Sequence, residues 1–203
     1  MLAFVVASPA DMPLDRLAES FRDWFERYPW LENYRCPSCN DPADFGSHGR
    51  YSDDLGKCPE CGAHLVRYWS DVRVADYFRD ASERPDFRFY LGRDETGQAR
   101  VWVWGYAHTE VPQLAKLAGK GIYVDHIGVD PTYSGADAFD IFWEAHHQCA
   151  LRGAEFFVTR THRKADYVKE AMSFFGYDFF ELCEAEEDRE YWLRPNADGI
   201  PQH

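Results

Sequence analysis

Hydrophobic and polar positions alternate along this chain in blocks that change period, and each change marks an element. Leu2–Ala7 is a short apolar run read as a strand, after which Leu14, Leu17, Phe21, Trp24, Phe25 and Tyr28 recur every three or four residues. That spacing puts side chains on one face of a helix, which Pro29 ends. A shorter helical pattern follows through Val74, Tyr77, Phe78 and Ala81, before Pro85. Phe87–Gly92 and Arg100–His108 read as two strands joined by a hairpin loop rich in Asp and Gly. Ile122–Val129 is an apolar strand stopped by Asp130-Pro131, and it leads into a helix whose face is Phe139, Phe142, Trp143, His146 and Cys149. Gly153 closes that helix. Glu155–Arg160 is a further strand, Val168, Ala171, Met172 and Phe175 mark a helix ending at Gly176, and Tyr177–Cys183 and Arg189–Leu193 pair around the acidic turn Glu184–Asp188. Residues 196–203 read as a loose tail.

Between the first two helices the periodicity fails, and cysteines replace it. Cys36-Pro-Ser-Cys39 and Cys58-Pro-Glu-Cys61 each let two thiolates grip one ion, and the eighteen residues between the pairs suit a zinc ribbon. Asn40 and Gly62 directly follow the second cysteine of each pair and tolerate the left-handed backbone of a tight knuckle. Four sulfurs leave no open coordination position, so the expected zinc is structural rather than catalytic. A redox role fits less well, because a thioredoxin-like pair belongs at a strand-to-helix junction. His48 and His64 read as surface residues, and Cys149 and Cys183, in apolar periodic stretches, as buried inert thiols.

Composition narrows the partners. The chain has 203 residues and a formal net charge of −13, and the ribbon segment offers only Arg50 and Lys57 as bases. Neutralising a phosphate backbone takes clustered Lys and Arg, so direct binding of duplex nucleic acid is not expected. An amine-bearing small molecule or a protein suits the acidic surface better. No apolar run nears the roughly 20 residues that cross a bilayer. Reduced cysteines and the lack of a signal-like start point to a cytoplasmic protein.

The element order, with Tyr123-Val-Asp-His-Ile-Gly-Val-Asp-Pro131 entering a helix and Ser173-Phe-Phe-Gly-Tyr177 closing the next, resembles the GNAT superfamily of acyl-CoA-dependent N-acyltransferases. The resemblance implies an α/β (α+β) fold, a central mixed β-sheet flanked by helices. The acyltransferase domain would comprise residues 1–34 and 65–195, with a zinc ribbon inserted at 35–64, on the acceptor side. It implies acetyl-CoA, or another acyl-CoA, as co-substrate and an amine as acceptor. The donor would lie against Ile127 and Val129 and on the turn Ser134, Gly135, Ala136, Asp137 and Ala138, where backbone amides and a helix dipole favour a pyrophosphate.

The chain departs from the family at two places. The Arg or Gln and the glycines of the phosphate turn are not aligned in any one register, and Asp137 brings a carboxylate toward the pyrophosphate. Ser134-x-x-Asp137 has the spacing of a capping box, which would occupy amides the phosphate needs. Arg160, Arg163 or Lys164 would assist. For the general base the candidates are Asp125, on the strand face of Tyr123 and Ile127, and His126 on the opposite face. The tyrosine that protonates the leaving thiolate in many relatives is Met172 here, with Tyr167 or Tyr133 as replacements. Trp102, Trp104 and Tyr106 share one strand face, which either packs the core or lines an acceptor pocket. His108, His126, His146, His147 and His162 raise a second metal site, but adjacent histidines on a helix diverge by about 100° and do not chelate together. A fold that binds a protein partner without catalysis and a phage-type transferase acting on a nucleobase remain the other readings.

Overall fold

Nine-residue strand Ala99–Ala107 buries Val101 and Val103 on one face and Trp102, Trp104 and Tyr106 on the other, and a strand apolar on both faces belongs in the middle of a covered sheet. The computed structural model describes residues 1–30, 32, 34–39, 57, 58, 60–134 and 137–196. Its elements in chain order are β1 (Ala3–Val6), α1 (Leu14–Phe25), β2 (Tyr34–Arg35), β3 (Val66–Arg67), α2 (Asp71–Ser82), β4 (Arg88–Arg93), β5 (Ala99–Ala107) and β6 (Gly121–Val129). They continue as α3 (Ala138–Leu151), β7 (Phe156–His162), α4 (Asp166–Phe174), β8 (Asp178–Leu182) and β9 (Arg189–Pro195). Two compact units result, one of Met1–Met12 with Arg79–His203 and one of Pro13–Phe78.

The first unit holds a seven-stranded sheet in the order β1-β4-β5-β6-β7-β9-β8. Every neighbouring pair is antiparallel except β6 and β7, and their parallel pairing requires the crossover that α3 supplies. Ile141, Phe142, Ala145 and Cys149 line one stripe of α3 and pack with Tyr90, Val101, Val103, Ile122, Val124 and Phe157 of the sheet and Met172 and Phe175 at the end of α4. Each such buried Val, Ile or Phe is worth roughly 1.5–3 kcal/mol, which fixes both helices to this face. The β4–β5 hairpin is closed by Asp94, which accepts the amides of Thr96 and Gln98, while Gly97 supplies the left-handed residue (φ 82°).

The second unit carries α1, the β2–β3 hairpin and most of α2. The Phe21 ring lies 4.8 Å from Trp69 and 5.7 Å from Tyr77, while Phe25 stands edge-on to Trp30. The Trp69 indole N–H is satisfied by the buried carboxylate of Glu32 at 2.8 Å. Arg67 ties the hairpin to the end of α1 through Glu26 at 2.8 Å. The β2–β3 pairing places the two Cys-x-x-Cys segments side by side. Most of the stretch between them, 40–56, lies outside the described residues, as do the expectations for Asn40 and His48.

Candidate functional site

The parallel strands part company half-way along. β6 and β7 pair only from Gly121↔Phe156 to Val124↔Thr159; beyond that β7 stays on β9 as far as His162, while β6 stays on β5 as far as Val129. Asp130 donates its amide to Arg100 O at 2.8 Å, so its backbone faces β5. By alternation the amides and carbonyls of Ile127 and Val129 face the edge that carries no strand among the described residues. Their side chains pack onto the core.

At the point of divergence β6 carries one residue more than its partner. Trp104 pairs with His126 and Gly105 with Val124, which leaves Asp125 as the bulged residue. The bulge inverts the phase of the strand, so Ile122, Val124, Ile127 and Val129 all belong to the core face. This corrects the simple alternation expected from sequence: Asp125 does not share a face with Ile127, and His126 is not opposite to Asp125. Both turn to Trp104. Its indole N–H donates to Asp125 Oδ2 at 2.9 Å, and its ring lies 4.4 Å from that of His126. Tyr106 donates its hydroxyl to Asp125 Oδ1 at 3.3 Å. Gly105 is what permits the bulge, because a Cβ there would stand 2.5 Å from Tyr123 O.

The two candidate bases differ in environment. Asp125 is partly exposed, whereas His126 is buried, and burial pushes its imidazole down to about 3, leaving it neutral at physiological pH. Tyr106 and Tyr123, cross-strand neighbours with rings 5.5 Å apart, are both raised by burial and stay protonated. Arg160, on the facing strand, pairs with Glu186 at 2.7 Å; Arg163 donates to Glu187 O, and Lys164 gives its amide to His162 Nδ1.

The turn after β6 is held by acids. Asp130 accepts the amide and hydroxyl of Thr132 and ion-pairs with Arg100 at 2.9 Å, and Arg100 also holds Asp94 at 2.7 Å. Asp137 does not act as the partner in a capping box: it stands at the N-cap of α3 with no side-chain cap hydrogen bond. Its carboxylate instead takes the Tyr133 hydroxyl and, at 2.7 Å, the amide of Leu2. These bonds, with the Tyr133 hydroxyl foremost, hold it below the usual carboxylate range. Ser134 is exposed, Ala138 opens α3, and Gly135 and Ala136 lie outside the described residues. Tyr167, about half exposed, sits in the first turn of α4, while Met172 is buried in the core and Tyr133 is committed to Asp137.

No protein-family model and no curated protein matches the sequence. Solved structures do. The PaiA N-acetyltransferase of Thermoplasma acidophilum, in complex with coenzyme A, superposes with a TM-score of 0.56 over 96% of this chain and 99% of its own, at 11% identity. A GNAT superfamily phosphinothricin acetyltransferase of Sinorhizobium meliloti, in complex with AcCoA, gives 0.57 over 100% and 92% at 12% identity. NAA60 of Arabidopsis thaliana, in complex with a bisubstrate analogue, gives 0.55 over 96% and 99% at 12% identity. The chain has the GNAT fold.

On this GNAT fold the cysteines form a separate centre in the second unit. The ligand atoms of Cys36, Cys39, Cys58 and Cys61 all lie within 4.8 Å of one another, with Cys36 and Cys61 sulfurs 3.3 Å apart and those of Cys39 and Cys58 3.7 Å apart. The amides of Ser38 and Cys39 point at Cys36 Sγ at 3.4 and 3.3 Å, and Gly62 (φ 73°) lets its amide close back on Cys58 O at 2.7 Å. Such amide-to-sulfur bonds stabilise thiolates, so the donor set fits a tetrahedral thiophilic ion. Among the described residues it is the one group of this kind. Three of the candidate histidines are held elsewhere: His146 bonds Phe142 O and Tyr177, His108 bonds Gly121 O and Leu117 O, and His162 faces Asp188. Cys149 is buried against the Tyr90 hydroxyl, and Cys183 against that of Tyr191.

Proposed function

We propose that the protein is an acyl-CoA-dependent N-acyltransferase, with acetyl-CoA as donor and an amine as acceptor. The observation that carries the reading is the unpaired edge of β6 beside the bulged Asp125. That edge offers backbone groups of Ile127 and Val129 to an extended amide-bearing arm such as that of acyl-CoA, and it ends at a turn leading into the N-terminus of α3. Ser134, Gly135, Ala136, Asp137 and Ala138 are the proposed phosphate turn. The Asp137 carboxylate, tied to Leu2 and Tyr133, is less of an obstacle to an anion there than its sequence position implies.

In the proposed reaction the acceptor nitrogen attacks the thioester carbonyl, the C–N bond forms and the C–S bond breaks. The amine's proton passes to Asp125, directly or through a water, and the departing thiolate takes a proton from Tyr167 or from solvent. The Trp104 indole and the Tyr106 hydroxyl hold the Asp125 carboxylate in orientation for this task. We assign Zn²⁺ to Cys36, Cys39, Cys58 and Cys61, where it supplies folding energy rather than chemistry, since four thiolates fill its tetrahedral shell. The acceptor is a small molecule or a protein amine.

Titration calorimetry with acetyl-CoA, followed by thiol release against a panel of amines, tests the assignment. Saturable binding with amine-dependent release of CoA is expected. Absence of binding at millimolar acetyl-CoA would overturn it and favour the alternative of a GNAT fold that binds a partner without catalysis.

A further inference from the structure

Among the described residues of the second unit, two guanidinium groups have no acid, in a chain with a net charge of −13. The unit's other described arginines each have a carboxylate: Arg16 with Glu19, Arg22 with Asp71, Arg27 with Asp23 and Arg67 with Glu26. Arg35 and Arg73 have none among the described residues. Instead they converge on Tyr68, whose buried ring lies 3.8 Å from the Arg73 guanidinium and 5.9 Å from that of Arg35.

The hairpin register produces this convergence. Arg35 is directly opposite Val66, and the chain bends just after β3 at Tyr68. The first turn of α2 then brings Arg73 to the same ring, where its guanidinium also donates to the Tyr68 hydroxyl. Stacking on a ring uses the face of a guanidinium, whereas its N–H donors lie in the plane and point outward. Ring contact therefore leaves most of those donors to be satisfied. Arg35 Nε is buried and has no acceptor among the described residues, a costly condition for a charged donor. Glu32, the buried acid whose charge reaches Tyr68, accepts the Trp69 indole N–H at 2.8 Å.

We propose that Arg35 and Arg73, converging on Tyr68 beside the cysteine cluster, form a binding site for an oxyanion, a carboxylate or a phosphate group. Two forks around one aromatic ring match the planar, multi-acceptor shape of such groups. The site stands whether or not the chain transfers acyl groups, because no part of the argument uses β6 or its edge.

The test follows the Nε–Hε resonances of the metal-loaded full chain by ¹⁵N NMR. Inorganic phosphate and, separately, acetate are titrated at ionic strength held constant with chloride. Saturable shifts of Arg35 and Arg73 with either anion are expected, and which anion saturates at lower concentration tells a phosphate site from a carboxylate site. Arg73→Gln is expected to weaken that binding by about tenfold or more. Shifts that are absent, or that spread equally over Arg22 and Arg67, would overturn the proposal. The wild-type titration decides the matter even if Arg73→Gln does not fold. If Arg73→Gln folds, retains its metal and binds unchanged, the site is not this one.

Discussion

The Trp104 indole donates to Asp125 Oδ2 at 2.9 Å across the β5–β6 pair, at the one residue where β6 bulges. A carboxylate held by an indole and a phenol on one strand is fixed in orientation while remaining partly exposed, which a positioned proton acceptor requires. Asp125→Asn preserves size and the contact with Trp104 but removes the proton acceptor. If the acyltransfer reading holds, kcat/KM drops by about 10²- to 10⁴-fold while the acetyl-CoA dissociation constant stays within about twofold. Unaltered turnover in this variant would remove Asp125 from the mechanism.

Two glycines on this strand pair leave no room for a Cβ, one of them at the bulge. A Cβ on Gly128 would stand 1.9 Å from Trp102 Nε1, and one on Gly105 would stand 2.5 Å from the backbone oxygen of Tyr123. Trp102 is fully buried and has nowhere to retreat without disturbing β5. Gly128→Ala and Gly105→Ala are each expected to lower stability by about 1–3 kcal/mol through overpacking, read as a lower urea midpoint at unchanged slope. Gly97→Ala, with open space at its Cβ but a φ of 82°, isolates the backbone cost alone and is expected to lose about 1 kcal/mol. A Gly105 variant as stable as wild type would mean that the bulge survives without the close approach.

Local chemistry was readable in the chain, and long-range partners were not. The Cys-x-x-Cys pairs announce their centre because both ligands of a pair lie within one turn, and the strands and helices follow from hydrophobic periods that are likewise local. The bulge at Asp125 is defined by a partner strand some twenty residues upstream. It nevertheless left a trace, since Ile122 and Val124 are out of phase with Ile127 and Val129 by one residue, with two polar residues between. A one-residue slip in an alternating strand signals a bulge when both halves remain apolar on the core side. Nothing of that kind exists for the bond that Asp137 accepts from the amide of Leu2, 135 residues away. The spacing of Asp137 to Ser134 suggests a local cap; the Tyr133 hydroxyl is a local donor too, but the Leu2 amide reaches the carboxylate only once the chain has folded.

Metal content probes the second unit. The proposed zinc joins Cys36 and Cys58, both buried beside Leu65, to the exposed Cys39 and Cys61, and this small cluster is distinct from the large core of the sheet. Elemental analysis is expected to return one zinc per chain, and Cys58→Ser or prolonged chelation is expected to remove it. Tryptophan fluorescence should then change, because Trp30 and Trp69 lie in that unit, while sheet signals in far-UV circular dichroism largely persist. Metal-free protein with unchanged fluorescence would show that the sulfurs are gathered without an ion.

Buried histidines set the acid limb of stability. Burial pushes His126 and His146 down to about 3, and His162 is lowered as well, with burial the largest cause. In the unfolded chain each returns to about 6.5. Between those values the unfolded state binds more protons than the folded one, so stability rises with pH through this window and falls on acidification. Below about pH 5 the lowered carboxylates Asp130 and Asp137 add a loss of the same sign, which leaves pH 7.5 to 5.5 as the range where histidine dominates. Over that range each fully buried histidine accounts for about 1.4 kcal/mol. Urea unfolding at the two pH values, with metal content checked at both, should show a loss of at least twice that figure. His146→Gln is less stable at pH 7.5, since it gives up bonds to Phe142 O and Tyr177, but its pH-dependent loss should shrink by about one histidine's share. An unchanged slope in this variant would mean that His146 takes up its proton in the folded state.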